Sequence, residues 1–91
     1  MKVLRTLNLN RNSLSDPIPA QLGLLKVLRT LDLSENMLSS SIPAELGRLQ
    51  NLQSLALDYN YFSGRIPREL GNLTQLTHLS ISRGNMLGYS L

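Results

Sequence analysis

The sequence contains no cysteine, so neither a disulfide framework nor a thiolate metal site can form. It has a single histidine, His78, and aromatic residues amount to only 4% of the chain. It shows neither a phosphate-cradling loop nor a metal-ligand spacing. A lone imidazole needs partners for catalysis, and the sequence supplies none. These absences argue against an enzyme, a metal site or a bound cofactor.

Long uniform runs are also missing. No continuous apolar stretch reaches the about 18 residues of a membrane span. Residues 1–15, MKVLRTLNLNRNSLS, alternate apolar and polar groups and do not resemble a signal peptide. The formal charge of +3 comes from nine basic and six acidic residues that are scattered along the chain. We therefore expect no nucleic-acid partner and no membrane insertion by this chain.

What the chain does have is an internal repeat with a period of 24 residues. The units are 3–26, 27–50 and 51–74, with a degenerate fourth unit at 75–91, and we treat 1–91 as one domain. Leucines align at several positions, and other residue types align as well. Three repeat positions are occupied by one residue type in every complete unit: Asn12, Asn36 and Asn60; Pro19, Pro43 and Pro67; and Gly23, Gly47 and Gly71. A repeat of this length predicts a solenoid in which each unit forms one coil.

The string LxxLxLxxNxL followed by SxxIPxxLGxL resembles the plant-type leucine-rich repeat found in receptor-like kinase and receptor-like protein ectodomains. The resemblance runs from about Val3 to Ile81, and the third unit, NLQSLALDYNYFSGRIPRELGNLT, is the nearest to the pattern. It implies an α/β leucine-rich repeat solenoid, a short curved stack of right-handed coils. Its parallel sheet would line the concave face, and 3-10 or short helices would form the convex side.

The LxLx segment of each unit alternates as a strand does, with leucines inward and polar residues outward. Thr6, Asn8, Asn10 and their equivalents in later coils, including Ser34, should face solvent. Leu14, Leu38 and Phe62 should point inward. Each proline should start a helical turn and each glycine of the Leu-Gly pair should end it. Asp16 and Ser40 occupy a slot that holds Gly64 in the third coil, which puts a regular second strand in doubt.

The repeated asparagines should form a buried ladder, because an inward amide can bond the backbone of its own coil and of a neighbouring coil. The ladder would consist of Asn12, Asn36 and Asn60. In the fourth unit Gly84 occupies the asparagine slot and Asn85 follows one place late. Either a bulge returns Asn85 to the ladder, or the ladder stops at Asn60.

One row of side chains on the concave face is a candidate recognition strip, because tyrosine and arginine often anchor interfaces. Arg11 and Glu35 could pair within it, and Tyr59 could lie against Arg83. A solvated face without a ligand is the alternative, and a solvent-facing role is the simpler interpretation of the histidine. The strip comprises Arg11, Glu35, Tyr59 and Arg83, with Asp32, Asp58 and His78 nearby. On the outer arc, Asn72-Leu73-Thr74 is either a glycosylation sequon or an ordinary filling of its slot.

The resemblance implies a module that binds a protein or peptide on its concave face, as a fragment of a plant receptor-like ectodomain in recognition and signalling. The alternatives are an inhibitor of a secreted enzyme and a structural or relic array without a ligand. Ice binding is a more distant variant, since it would favour a regular threonine face. The first coil exposes Leu4, Leu7 and Leu9, so end-to-end self-association is a further expectation. The family suggests an extracellular or plasma-membrane location, whereas a complete chain without a signal peptide would be cytoplasmic.

Overall fold

Four short strands, one from each repeat, form a parallel sheet in the computed structural model, which describes residues 3–81. The strands are β1 (Thr6–Asn8), β3 (Thr30–Asp32), β5 (Ser54–Ala56) and β6 (His78–Ser80), and they pair in that order. Leu7, Leu31, Leu55 and Leu79 lie opposite one another at the centre of the sheet. The constant 24-residue offset in this register places equivalent side chains of successive coils side by side. The predicted parallel sheet and solenoid are therefore confirmed.

A second, two-stranded sheet is formed by the strands that follow β1 and β3 in the chain, and its register differs from that of the first sheet. It consists of β2 (Ser15–Asp16) and β4 (Met37–Leu38), and Ser15 lies opposite Met37. The doubt about a second strand was wrong for the first two coils. Asp16 adopts φ 70° and Ser40 adopts φ 62°, close to the 75° of Gly64. The left-handed turn therefore forms without glycine, at the cost of backbone strain.

The convex side consists of 3-10 helices, η1 (Ala20–Leu24), η2 (Ala44–Arg48) and η3 (Arg68–Asn72), each directly preceded by a proline. The expectation that glycine ends these helices was wrong, because each glycine lies inside its helix. At Gly23 and Gly47, the glycine allows neighbouring coils to pack closely. A Cβ atom added at Gly23 or Gly47 would lie 2.5 Å from the carbonyl oxygen of Glu45 or Glu69 in the next coil. No described atom lies within 4 Å of such a Cβ at Gly71.

The apolar core is centred on the second and third coils. Its fully buried side chains are Leu28, Leu31, Leu46, Leu49, Leu52, Leu55, Leu57 and Phe62. Leu9 and Leu14 of the first coil are each 37% exposed, and Leu14 lines a cavity with the core residues Leu33 and Leu38, so it faces inward as expected but is not buried. No described coil covers the outer side of these residues. Within residues 3–81, no helix has the length and apolar character needed to cross a membrane.

Candidate functional site

The concave face is held in place by two buried asparagines that bridge successive coils. Asn36 is 6% exposed, and its Oδ1 accepts a hydrogen bond from the backbone N–H of Leu14, 3.1 Å away, in the preceding coil. Its Nδ2 donates to the carbonyls of Leu9, Leu33 and Ser34 at 3.0 to 3.1 Å. Asn36 therefore ties the turn that follows β3 both to its own coil and to the coil before it.

Asn60 repeats this arrangement one coil later. It is 3% exposed, and its Oδ1 accepts from the N–H of Leu38 at 3.0 Å. Its Nδ2 donates to the carbonyl of Leu33 in the preceding coil at 2.9 Å, and to two carbonyls of its own coil. Every hydrogen bond that the side chains of Asn36 and Asn60 make to another coil is thus made to the preceding coil.

Asn12 does not share this burial, so the expectation of three buried asparagines was wrong at the first position. The side chain is exposed, and its Nδ2 donates only within its own coil, to the carbonyls of Leu9 at 2.8 Å and Asn10 at 3.2 Å. The reason is the direction of the ladder, since bonds from Asn12 to another coil would need a coil before the first one described. Asn85 lies outside the described residues.

Three members of the recognition strip lie three residues beyond the ends of their strands, in left-handed backbone conformations. Arg11, Glu35 and Tyr59 have φ of 57°, 56° and 59°, and all three are exposed. Backbone bonds between coils position them, including one from the N–H of Glu35 to the carbonyl of Asp58 at 2.9 Å. Nε of Arg11 and Oε2 of Glu35 are 3.4 Å apart, with side chains 77% and 43% exposed, so the pair is weak. Arg83 lies outside the described residues.

The remaining strip residues differ in their environments. Oδ1 of Asp32 accepts from Oγ of Ser34 at 2.7 Å and from its N–H at 3.1 Å. Ser34 is 6% exposed, so its expected solvent-facing position was wrong, and this local bonding explains its burial. Asp58 is half-buried, whereas His78 is exposed and its Nδ1 lies 3.0 Å from Oγ1 of Thr77.

Sequence reasoning overlooked two groups of exposed side chains, one before the strands and one after them. Arg5 and Arg29 occupy equivalent places just before β1 and β3, and both are exposed. Met37 and Tyr61, one coil apart, are 51% and 55% exposed. The 24-residue alignment of positions 5 and 29 was a usable signal for the first group. The repeat pattern gave no indication that Met37 and Tyr61 would be exposed large side chains.

A parallel strand in each described coil, convex 3-10 helices in the first three coils, and buried asparagines in the second and third coils agree with the family comparison. The protein-family model described as a leucine-rich repeat region matches residues 1–87 of this chain. The chain belongs to the leucine-rich repeat family. A search of curated protein sequences gave no match for this leucine-rich repeat array.

Solved plant structures contain similar arrays. The ectodomain of the Arabidopsis thaliana receptor kinase GASSHO1/SCHENGEN3, in complex with CASPARIAN STRIP INTEGRITY FACTOR 2, is 45% identical with a TM-score of 0.89. The match covers 90% of this chain and 10% of that one. The plant peptide hormone receptor RGFR1, in complex with RGF2, is 40% identical with a TM-score of 0.94, over 97% of this chain and 14% of that chain. The array therefore spans a small part of each receptor.

A plant ice-binding protein is also similar, with 37% identity and a TM-score of 0.87, over 93% of this chain and 27% of that one. In the leucine-rich repeat array described here, Thr6 and Thr30 lie opposite each other, but Ser54 and His78 continue the row. The threonine row therefore covers two strands of the four, and this face lacks the regular threonine array that ice binding would favour.

Two depressions lie away from the concave face of the array. An apolar cavity of about 280 Å³ opens at the first coil and is lined by Leu9, Leu14, Ile18 and neighbouring residues. The end-to-end association of arrays stays a prediction, since this structure contains one chain. A second depression of about 300 Å³ lies between η2 and η3, and exposed Asn72 is among its lining residues.

Proposed function

We propose that this array binds a peptide or protein ligand on its concave face. The observation that carries the proposal is the row formed by Arg11, Glu35 and Tyr59, three large exposed side chains that the ladder and the strands present side by side. Tyr59 is 50% exposed, and arginine and tyrosine are frequent anchors of interfaces. Support also comes from the two similar receptors, whose structures contain RGF2 and CASPARIAN STRIP INTEGRITY FACTOR 2.

The backbone under this row is well suited to recognition because hydrogen bonds hold its turns in place without a ligand. Buried asparagines bond the turns that carry Glu35 and Tyr59, with four bonds from Asn36 and four from Asn60. A preorganised surface loses less conformational entropy on binding than a mobile one. We propose that these coils contact the ligand and that they form a segment of a receptor-like ectodomain. Signalling would then require the whole receptor.

The test uses the array as bait in a plant extracellular extract, with the captured peptides and proteins identified by mass spectrometry. The wild type is compared with Tyr59→Ala/Glu35→Ala on the strip and with Arg68→Ala, whose exposed side chain lies on η3. We expect captured molecules that are retained by Arg68→Ala and lost from the strip variant. A capture profile that is the same for all three proteins would contradict binding on the concave face.

We further propose that Asn72 accepts an N-linked glycan when the array is secreted. Asn72 ends η3 on the convex side and is exposed, as is Thr74 of the sequon. A glycan there would leave the strip free. In a secreting eukaryotic host with a supplied signal peptide, glycosidase treatment should shift the mobility of the wild type and of Thr74→Ser, but not of Thr74→Ala. An unchanged wild-type band would show that the site is unmodified.

A further inference from the structure

Charged side chains beside the concave sheet are segregated along the strand direction. Arg5 and Arg29 lie just before the strands, and both are exposed. At the opposite end, Glu35 lies just after β3 and Asp58 just after β5, with Asp32 at the end of β3. Arg11 also lies at this second end, where it pairs with Glu35. We call the starts of the strands the cationic edge and their ends the carboxylate edge, because among residues 3–81 carboxylates outnumber cations there.

The cationic edge is not neutralised within the part of the chain that the structure describes. Among residues 3–81, the ion pair between Arg11 and Glu35 is the only one, so Arg5 and Arg29 form no ion pair with a described carboxylate. Their backbones are paired, since the carbonyl of Arg5 accepts from the N–H of Arg29 at 2.7 Å. Two guanidinium groups on adjacent strands, about 4.8 Å apart at the backbone, repel each other, and an anion placed between them would relieve this.

The two edges are far enough apart to act on separate ligand groups. Arg29 precedes Glu35 by six residues, which is at most about 20 Å of fully extended chain, and the positive φ of Glu35 shortens this separation. Salt at physiological ionic strength, with a Debye length of about 8 Å, weakens the interaction between exposed charges at the two edges. The space between them carries small uncharged side chains, Thr30 and Ser54 among them.

The carboxylate edge also offers aromatic surface to a cation. Tyr59 and Tyr61 are 50% and 55% exposed, and both follow Asp58 closely in the chain. A lysine or arginine side chain gains from a carboxylate and from the face of a tyrosine ring together. No such aromatic side chain accompanies Arg5 and Arg29 in the equivalent places before the strands, where Gln53 and Thr77 complete the row.

We infer that the ligand of this face is a peptide with segregated charge, which places an acidic group at Arg5 and Arg29 and a basic side chain at Asp58 and the tyrosines. The inference rests on the proposed function and narrows it to one class of ligand. Complementary charge sets the orientation of such a peptide and suppresses peptides of the wrong charge pattern.

The experiment selects peptides from a random displayed library on the wild-type array at low salt, and counter-selects on Ser54→Trp, which blocks the middle of the sheet. Recovered peptides are synthesised and titrated against three folded variants. The first is Arg5→Glu/Arg29→Glu, the second is Glu35→Lys/Asp58→Lys, and the third combines all four changes. Circular dichroism confirms that each variant is folded.

We expect recovered peptides to carry acidic and basic residues in separate halves. Each double reversal should weaken their binding by about three- to tenfold, and the fourfold reversal should restore it, because the peptide can then bind in the opposite direction. Peptides that depend on Ser54 but ignore both reversals would overturn the inference and leave the proposed function intact. A library that yields no peptide sensitive to Ser54→Trp would count against both.

Discussion

At the scale of single residues, the ladder bonds differ in value according to burial. Asn36→Ala removes the side-chain acceptor of the Leu14 N–H, and it removes one of two hydrogen bonds to each of the carbonyls of Leu9, Leu33 and Ser34. We expect a loss of about 3 kcal/mol in the free energy of unfolding, measured by urea denaturation. Asn12→Ala is the matched control, and because Asn12 is exposed its loss should stay below about 1 kcal/mol. Equal losses would contradict the burial difference.

A reciprocal pair of substitutions isolates the strain of the left-handed turn. Ser40 has φ 62°, where a residue with a Cβ atom costs about 1 to 2 kcal/mol, so Ser40→Gly should stabilise the array by about 0.5 to 1 kcal/mol after the added chain entropy is subtracted. Gly64→Ser should destabilise by a similar amount. At Gly64 the nearest atom to an added Cβ is 3.9 Å away, so contact plays no part in the cost. Thermal melts of both variants decide this, and changes of the same sign would refute it.

At the scale of elements, the 3-10 helices approach one another closely enough that a single methyl group matters. Gly47→Ala would force its Cβ to within 2.5 Å of the carbonyl oxygen of Glu69, and backbone must move to relieve the overlap. We expect a destabilisation of about 2 kcal/mol in chemical denaturation. Gly71→Ala is the control, because no described atom lies within 4 Å, and it should be neutral or slightly stabilising. Destabilisation of both variants would indicate that glycine is needed for the conformation of its own 3-10 helix and not for contact with the next coil.

Elements that repeat every 24 residues could be predicted from the sequence, and features that depend on direction or register could not. The leucine columns predicted the sheet, and Pro-first spacing predicted the position of the 3-10 helices. Nothing in the alignment indicated that ladder bonds run toward the preceding coil, which leaves Asn12 exposed. The alignment also missed the altered register of β2 and β4, because that register comes from backbone pairing after the turn. Of the strip, the pairing of Arg11 with Glu35 followed from column spacing.

At the scale of the whole molecule, stability depends on how many neighbours each coil has. Coils in a solenoid contact only adjacent coils, so a coil with one neighbour opens more readily than a coil between two. Leu31 and Leu55, in β3 and β5, are at most 1% exposed, whereas Leu9 in the first coil is 37% exposed. When residues 1–91 are studied as an isolated array, local opening should therefore begin at an end coil such as the first and leave the second and third coils folded.

Native-state hydrogen exchange can measure this gradient. We expect the amides of Leu33 and Glu35, bonded to the carbonyls of Ala56 and Asp58 at 2.9 Å, to exchange only with near-global unfolding, because both bonds join the second and third coils. The amide of Leu9 is bonded at 2.9 Å to the carbonyl of Asp32, so in the static structure it has an equivalent partner. Its exchange should nevertheless be faster, by about tenfold or more, because opening the first coil breaks one interface between coils and not two. Equal protection at all three amides would mean that the array unfolds as a single cooperative unit.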